Sequence, residues 1–499
     1  MNVAFRLDAT KKIGVGHLSR CKNLAHYLSK KGAKIFFIVR ALDKNFVNLL
    51  KNNKFKINFL PNNDKFKVIE KNTDELWPDN LQKIDALETK KIFKKKIDWL
   101  IVDHYGLNKR WEKEIQKKVK KIMVISDFLN RKHHCDLFLF QNEINQNNFK
   151  KNFPKKCQFF IGSNYALIDR KFILLRNKIK KKNKKNKKIK KILINFGSTN
   201  PSKLVSKILS AFDHKLLKKY NLAILGAAKN LSLKRKVKFF GYKRNFMNKL
   251  DKFDFCIGSG GVANLERMCI GLPSLIFPIS SNQRKVVEIL EKKKLCLAIR
   301  DLDINVYNLK NKIISFLKNK YLINTCRENS FNLVDGYGVL RIVEILYPKK
   351  VSRLKLRKSK INDLVSYYKW VNDAKVIKYS FKKKIIQFNE HSKWFQNKLK
   401  SKKTKMFILE LGSLPIGQIR FDFKKNNTAM IDYSLDPIAR NRGWGKKLIS
   451  LGIKKIYKTG VKKISAEVRP ENIKSISIFK KLGFSENKFK LKNSYTLNK

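Results

Sequence analysis

Apolar positions at the start of the chain form one short run, Val3-Ala4-Phe5, then recur at helical spacing in Leu18, Cys21, Leu24, Ala25 and Leu28. The run predicts a strand over 2–7, and the spacing predicts an amphipathic helix from about His17. Apolar runs at 34–39, 99–103, 121–125 and 136–140 alternate with amphipathic stretches. That alternation predicts a parallel sheet covered on both faces. Asn177 to Lys191 is almost wholly Lys and Asn, too polar to pack, and reads as a solvated linker. Ile192-Leu193-Ile194-Asn195-Phe196 then opens a second α/β unit, with strands near 221–225, 237–240, 254–257 and 274–277. A further module begins near Ser352, where Ala429 to Leu435 alternates as a strand and Leu448, Ile449, Leu451 and Ile453 mark a helix. The expected fold class is α/β, with domains at 1–176, 192–347 and 353–499 and a linker at 177–191.

Composition changes this picture little. A chain of 499 residues is long enough for several packed cores. No apolar run reaches the ~18 residues of a membrane span, and no secretory leader pattern opens the chain. The seven cysteines are scattered without a Cys-x-x-Cys pair and read as reduced core residues of a cytoplasmic protein. The net charge of +76 would ordinarily suggest nucleic acid. Here the excess is lysine spread over the whole chain, and no nucleic-acid-binding module is recognised. Non-specific, salt-sensitive RNA binding is expected, and a specific nucleic-acid role is not.

Candidate chemistry sits at the ends of strands. Open α/β sheets bind ligands where a strand's carboxyl end faces a helix N-terminus. Gly14 and Gly16 let an anion approach the backbone there, and Arg6, Asp8 and His17 surround the turn. A phosphate beside the His17 imidazole suggests cleavage at a nucleotide-activated group; a histidine at a helix start also serves as a plain cap. Asp103, His104 and Tyr105 follow another strand, where they orient His17 or a sugar, or simply finish the strand. A second glycine turn, Gly258-Ser259-Gly260-Gly261, precedes Glu266, whose carboxylate can accept both hydroxyls of a ribose; the alternative is a tight turn with a surface glutamate. Asn282 and Gln283 either reach sugar groups or cap a helix. No metal-binding spacing such as His-Glu-x-x-His occurs, and His133-His134 reads as a polar loop, so no metal is expected.

Ordered motifs extend these readings. Phe5-Arg6-Leu7-Asp8-Ala9, Ile13-Gly14-Val15-Gly16-His17-Leu18, Arg20-Cys21, Val102-Asp103-His104-Tyr105-Gly106, Ser126-Asp127, Gln141-Asn142, Gly260-Gly261, Glu266-Arg267 and Asn282-Gln283 run in sequence. Together they resemble the UDP-sugar hydrolases of the pseudaminic acid pathway, over roughly residues 1–347. These hydrolyse UDP-2,4-diacetamido-2,4,6-trideoxy-β-L-altropyranose and are similar to glycosyltransferases with two Rossmann-like domains around a cleft (GT-B-like). The resemblance implies an inverting hydrolysis with His17 as base, Glu266 on ribose, and backbone around Tyr242 to Arg244 on uracil. Ser198 lies in a phosphate loop, Phe196-Gly197-Ser198-Thr199-Asn200-Pro201, that departs from the family's Phe-Gly-Gly-Ser-Asp-Pro. Phe140 and Asp169 also depart, standing where an acidic residue and an arginine are usual.

The last module carries Arg440-Asn441-Arg442-Gly443-Trp444-Gly445-Lys446, which fits the Arg-x-x-Gly-x-Gly signature of the GCN5-related N-acetyltransferases. Glu467-Val468, Asn472, Ser475 and Phe479-Lys480-Lys481-Leu482-Gly483-Phe484 resemble that family's second half. The resemblance implies acetyl-CoA as co-substrate, bound by Arg440, Arg442, Gly443, Trp444, Gly445, Lys446 and Asn472. Trp370-Val371-Asn372-Asp373 and His391-Ser392-Lys393-Trp394-Phe395 resemble the subgroup acting on 4-amino UDP-sugars, with Val371 replacing its arginine. Phe479 stands where many relatives have a proton-donating tyrosine. His391 is either a base or a structural residue beside Trp394. The expected protein is a bifunctional nucleotide-sugar enzyme whose partners are a UDP-sugar and acetyl-CoA. A UDP-sugar glycosyltransferase fused to another acyltransferase, and a basic nucleic-acid-binding protein with inactive folds, are the alternatives.

Overall fold

The computed structural model describes all residues except 11–12, 63–65, 67–74, 145–147, 182–187, 198–200, 227–236, 242–245, 349–353, 489–491 and 499. The chain divides into two compact units, Met1–Tyr347 and Pro348–Lys499.

Among the described residues the first unit holds two parallel sheets. The first contains β1 (Asn2–Leu7), β2 (Lys34–Val39), β3 (Lys56–Phe59), β4 (Ile97–Asp103), β5 (Val119–Ile125), β6 (Leu137–Phe140) and β7 (Gln158–Ile161), in the order β3-β2-β1-β4-β5-β6-β7. The second contains β8 (Lys191–Asn195), β9 (Asn221–Leu225), β10 (Val237–Phe240), β11 (Phe255–Ser259), β12 (Ser274–Phe277) and β13 (Leu297–Ala298), in the order β10-β9-β8-β11-β12-β13. Each sheet reverses its direction of growth at its centre, between β1 and β4 and between β8 and β11. The loops leaving those strands therefore diverge and open a crevice at the carboxyl ends.

Helix α1 (Gly16–Lys30) buries Leu18, Cys21, Leu24, Ala25 and Leu28 on the first sheet. Each fully buried leucine contributes about 1.5–3 kcal/mol, which fixes the helix start beside β1. Helix α2 (Asp79–Ile92) supplies Asp85 to the sheet's interior. The 177–191 stretch is only partly a linker: helix α3 (Lys171–Lys181) runs into it and buries Ile179. Its Arg176 donates to the Cys269 and Val334 carbonyls at 2.7 and 3.0 Å, so α3 is anchored on the second sheet's layer. Helices α4 (Val262–Cys269) and α5 (Ser281–Lys292) follow β11 and β12. Helix α6 (Gly338–Leu346), at the end of the 192–347 segment, packs on the first sheet instead, placing Val339, Ile342, Val343 and Leu346 in its core. Trp99 Nε1 donates to the Leu346 carbonyl at 3.0 Å and Lys31 pairs with Glu344.

The second unit contains β14 (Leu354–Lys358), β15 (Thr404–Leu411), β16 (Leu414–Phe423), β17 (Thr428–Leu435), β18 (Lys463–Val468), β19 (Ser485–Lys488) and β20 (Asn493–Asn498), ordered β14-β15-β16-β17-β18-β20-β19. Neighbours are antiparallel except β17 and β18, which pair in parallel only from Thr428↔Lys463 to Met430↔Ser465 and then part. Helices α7 (Leu364–Val371), α8 (Phe388–Lys400), α9 (Trp444–Tyr457) and α10 (Ile473–Lys480) cover it. All seven cysteines are buried and free. Among the described residues no helix is long and apolar enough to cross a membrane.

Candidate functional site

The crevice of the first unit is a cavity of about 1410 Å³ lined from both sheets. Gly14, Gly16, His17, Arg20, Tyr105 and Asp127 line it from the first; Gly260, Gly261, Glu266, Asn282 and Gln283 line it from the second. Gly14 has φ +91°, a conformation that glycine adopts at no steric cost and that aims the turn back into α1.

His17 Nδ1 lies 2.5 Å from Asp103 Oδ1, on the neighbouring strand's end. An ionised carboxylate only accepts, so Nδ1 carries a proton, and in the neutral imidazole Nε2 is the nitrogen with the lone pair. Arg20, one turn along α1 and on the same face, donates to both oxygens of Asp103 at 2.7 and 2.6 Å and to Asp127 at 2.9 Å. Burial alone would push the Asp103 carboxyl up, but Arg20 and His17 hold it well below the ordinary carboxylate range. Tyr105 donates to Asp127 Oδ2 at 2.5 Å and accepts from Asn282 Nδ2 at 3.1 Å, bridging the two sheets' sides. Its ring meets His17 edge-on, with centroids 4.4 Å apart. Arg20 and Asp127 are additions to the expected site. Their signals were the i+3 spacing from His17 and the carboxyl end of β5.

Arg6, Asp8, Asp103 and His104, expected to touch substrate, to orient His17 or to finish a strand, do not line the cavity, and Asp103 bonds His17 instead. Arg6 is fully buried and bonds Asp8 and Asp85, each at 2.7 Å. Asp8 also accepts from the Arg40 amide at 2.7 Å and from His104 Nε2 at 3.0 Å, while His104 Nδ1 accepts from the Gly106 amide. The physical reason is the inward-facing Asp85 of α2, far away in sequence, which draws Arg6 into the sheet. Ser198 and Tyr242 lie outside the described residues.

On the other side of the cavity, Gln283 Oε1 accepts from the Gly260 amide at 3.0 Å and the Ile279 amide at 3.4 Å. The Gly260 and Ile279 amides are thereby occupied, and the side-chain NH₂ of Gln283 is left to meet a ligand. No side chain caps α4. Glu266 has no hydrogen-bond or ion-pair partner among the described residues, and burial raises its pKa to about 7. A half-buried carboxyl without a donor is costly unless a ligand supplies one.

In the second unit the loop before α9 turns through Gly443 at φ +72°, with nothing within 4 Å of where a Cβ would stand. No side chain caps α9, so its first amides open onto that space. An anionic pyrophosphate fits such an end. Three of the expected CoA contacts have protein partners of their own. Arg440 pairs with Asp373 at 2.7 Å and donates to the Leu435 carbonyl at 3.0 Å, which fixes the loop through Nε and Nη2. Gly445 is small for packing, since a Cβ there would sit 2.9 Å from Ile478 Cδ1 of α10. Asn472 caps α10 by accepting from the Ser475 amide at 3.3 Å. Arg442 lies over the Trp444 ring, 5.1 Å from its centroid, and Lys446 is exposed.

Residues 353–485 match the acetyltransferase (GNAT) domain family. The second unit carries a GNAT acetyltransferase domain. Acetyl-CoA is the co-substrate that this family uses. Beyond the GNAT unit, the whole chain is similar to an uncharacterized protein of Methanocaldococcus jannaschii, 24% identical over 98% of this chain and 97% of that one. It is also similar to the UDP-2,4-diacetamido-2,4,6-trideoxy-β-L-altropyranose hydrolase of Campylobacter jejuni, 26% identical over 50% of this chain and 78% of that protein. Among solved structures, spermidine N-acetyltransferase from Vibrio cholerae in complex with CoA and spermine matches at 18% identity, over 29% of this chain and 95% of that chain, with a TM-score of 0.28. In the GNAT unit His391 is buried between Trp394, Phe395 and Tyr368, and burial lowers its pKa to about 4. That setting suits a neutral packing residue.

Proposed function

We propose that the chain is a bifunctional nucleotide-sugar enzyme of pseudaminic acid biosynthesis. Its first unit would hydrolyse UDP-2,4-diacetamido-2,4,6-trideoxy-β-L-altropyranose, and its GNAT unit would acetylate the 4-amino precursor of that sugar. The observation that carries the hydrolase reading is a base and an unpartnered carboxylate facing one cavity. His17 offers Nε2 with Nδ1 held by Asp103, and Glu266 offers an acceptor with no donor of its own among the described residues.

In this reading Glu266 accepts the two ribose hydroxyls, and the diphosphate lies at the start of α4. Water enters at the anomeric carbon opposite UDP while His17 Nε2 takes its proton. The new C–O bond forms as the bond to the diphosphate breaks, so the anomeric centre inverts. Asp103 stabilises the imidazolium, and Arg20 keeps Asp103 ionised and oriented. Oriented amides meet the charge that gathers on departing UDP. Asn282 and Tyr105 stand where the sugar would lie. In the GNAT unit the α9 amides and the Gly443 turn receive the pyrophosphate of CoA, the group that brings the activated acetyl. The DNA- or RNA-binding alternative has no comparable support.

Purified full-length protein with acetyl-CoA and the 4-amino UDP-sugar should yield UDP and free diacetamido sugar, read by mass spectrometry and NMR. Release of UDP only when an acceptor sugar is added would replace hydrolysis by glycosyl transfer. Separately produced fragments 1–347 and 353–499 should each retain one reaction.

A further inference from the structure

Acetyl transfer breaks a carbon–sulfur bond, and the departing sulfur must gain a proton. In the GNAT unit β17 and β18 cease to pair beyond Met430 and Ser465, which opens a gap in the sheet. Tyr433 lies in this parted stretch of β17 and is half-buried. Its ring stands beside the opening of α9, since Cε2 is 4.0 Å from where a Cβ on Gly445 would lie. Its hydroxyl is 2.9 Å from Ser475 Oγ on α10. Phe479, packed edge-on against Tyr433 with centroids 6.0 Å apart, has no proton to give. Tyr495, stacked on Phe479 at 5.5 Å, already donates to Glu486 at 2.5 Å.

We propose that Tyr433 is the catalytic acid of the GNAT unit and that Ser475 is its positioning and relay partner. The proposal rests on acetyl transfer by this unit. As the amine nitrogen bonds to the acetyl carbon and the C–S bond breaks, the Tyr433 hydroxyl gives its proton to sulfur. The phenolate regains a proton from Ser475, which takes one from water, and the amine's surplus proton leaves to water. The sum is an amide and a free thiol. Burial raises the Tyr433 pKa, which keeps the phenol protonated until the thiolate forms.

The test compares CoA with desulfo-CoA in calorimetry, which needs no acceptor. Wild type should bind CoA several-fold more tightly than desulfo-CoA, and Tyr433→Phe should abolish that preference while binding desulfo-CoA normally. Turnover supplies the second measurement. With acetyl-CoA and the 4-amino UDP-sugar, Tyr433→Phe should lower kcat about 10²-fold with KM for acetyl-CoA unchanged. With an activated aryl thioester, whose thiolate leaves without a proton, the variant should approach wild type. Ser475→Ala should show the same pattern in milder form. A retained CoA preference in Tyr433→Phe, or an equal kcat loss with both thioesters, would overturn the assignment. If wild type leaves the amino sugar unacetylated, the acetyl-transfer reading fails by itself, and the two-ligand comparison still decides the place of Tyr433.

Discussion

The two glycine turns that face each other across the cavity are built on opposite electrostatic principles. Behind His17 every charge has a partner: Asp103 answers His17 and Arg20, and Arg20 answers Asp127. Across the cavity Glu266 has none among the described residues, and its carboxyl is raised to about 7. The first arrangement stays fixed whether or not substrate is present, as a base needs. The second is left incomplete, and in the proposed function a ligand with paired hydroxyls would complete it. A group that acts on a bond and a group that recognises a molecule are thus distinguishable by their partners in the empty protein.

The sharpest way to break this comparison is at His17. His17→Leu should lower sugar release by about 10²–10⁴ while UDP affinity stays within a few-fold, measured by turnover and calorimetry. Asp103→Asn should lower kcat by about 10² and also lower Tm. It loosens His17 and leaves the Arg20 charge, itself buried, short of its main counter-ion. Thermal unfolding separates the two variants, since only the second should unfold earlier.

Glu266→Gln should weaken uridine binding about tenfold, an effect of ~1.4 kcal/mol, with kcat at saturation little changed. The pH dependence has a definite sign. The charged form is the better acceptor, so wild-type uridine affinity should rise from pH 5.5 to 8, with its midpoint near 7 before binding lowers it, and the variant should be flat. Without ligand the effect on stability is opposite. The folded carboxyl holds its proton above the unfolded value of 4.5, so the stability it contributes is full at lower pH and is lost as pH rises toward 7. The smallest effect belongs to Arg440→Ala. Because that guanidinium is spent on Asp373 and Leu435, KM for acetyl-CoA should change by less than about threefold.

Much of this was legible in the sequence. The apolar runs at 34–39, 221–225, 237–240 and 274–277 became strands with those bounds, and α1 starts one residue before His17. His17 and Glu266 were legible because a glycine turn between strand and helix leaves local marks. The settings of Arg6 and Arg440 were hidden for one shared reason: a charge is visible in a sequence, but the distant residue that neutralises it is not. Asp85 is 79 positions from Arg6, and Asp373 is 67 from Arg440. The extent of α3 was hidden by its polar composition, with Lys178 exposed while Ile179 packs.

The exchange of helices between the two sheets bears on how the chain is made. Helix α6 covers the first sheet with Val339, Ile342, Val343 and Leu346, although it is the last helix of its unit. A chain emerging from the ribosome has all of β1 to β7 outside long before that cover exists. The first sheet therefore waits, with α1 but not yet α6 on that face, until the second has been translated. The N-terminal half of this unit has no independent moment of completion, and premature termination anywhere before residue 338 leaves a sticky fragment rather than a smaller protein.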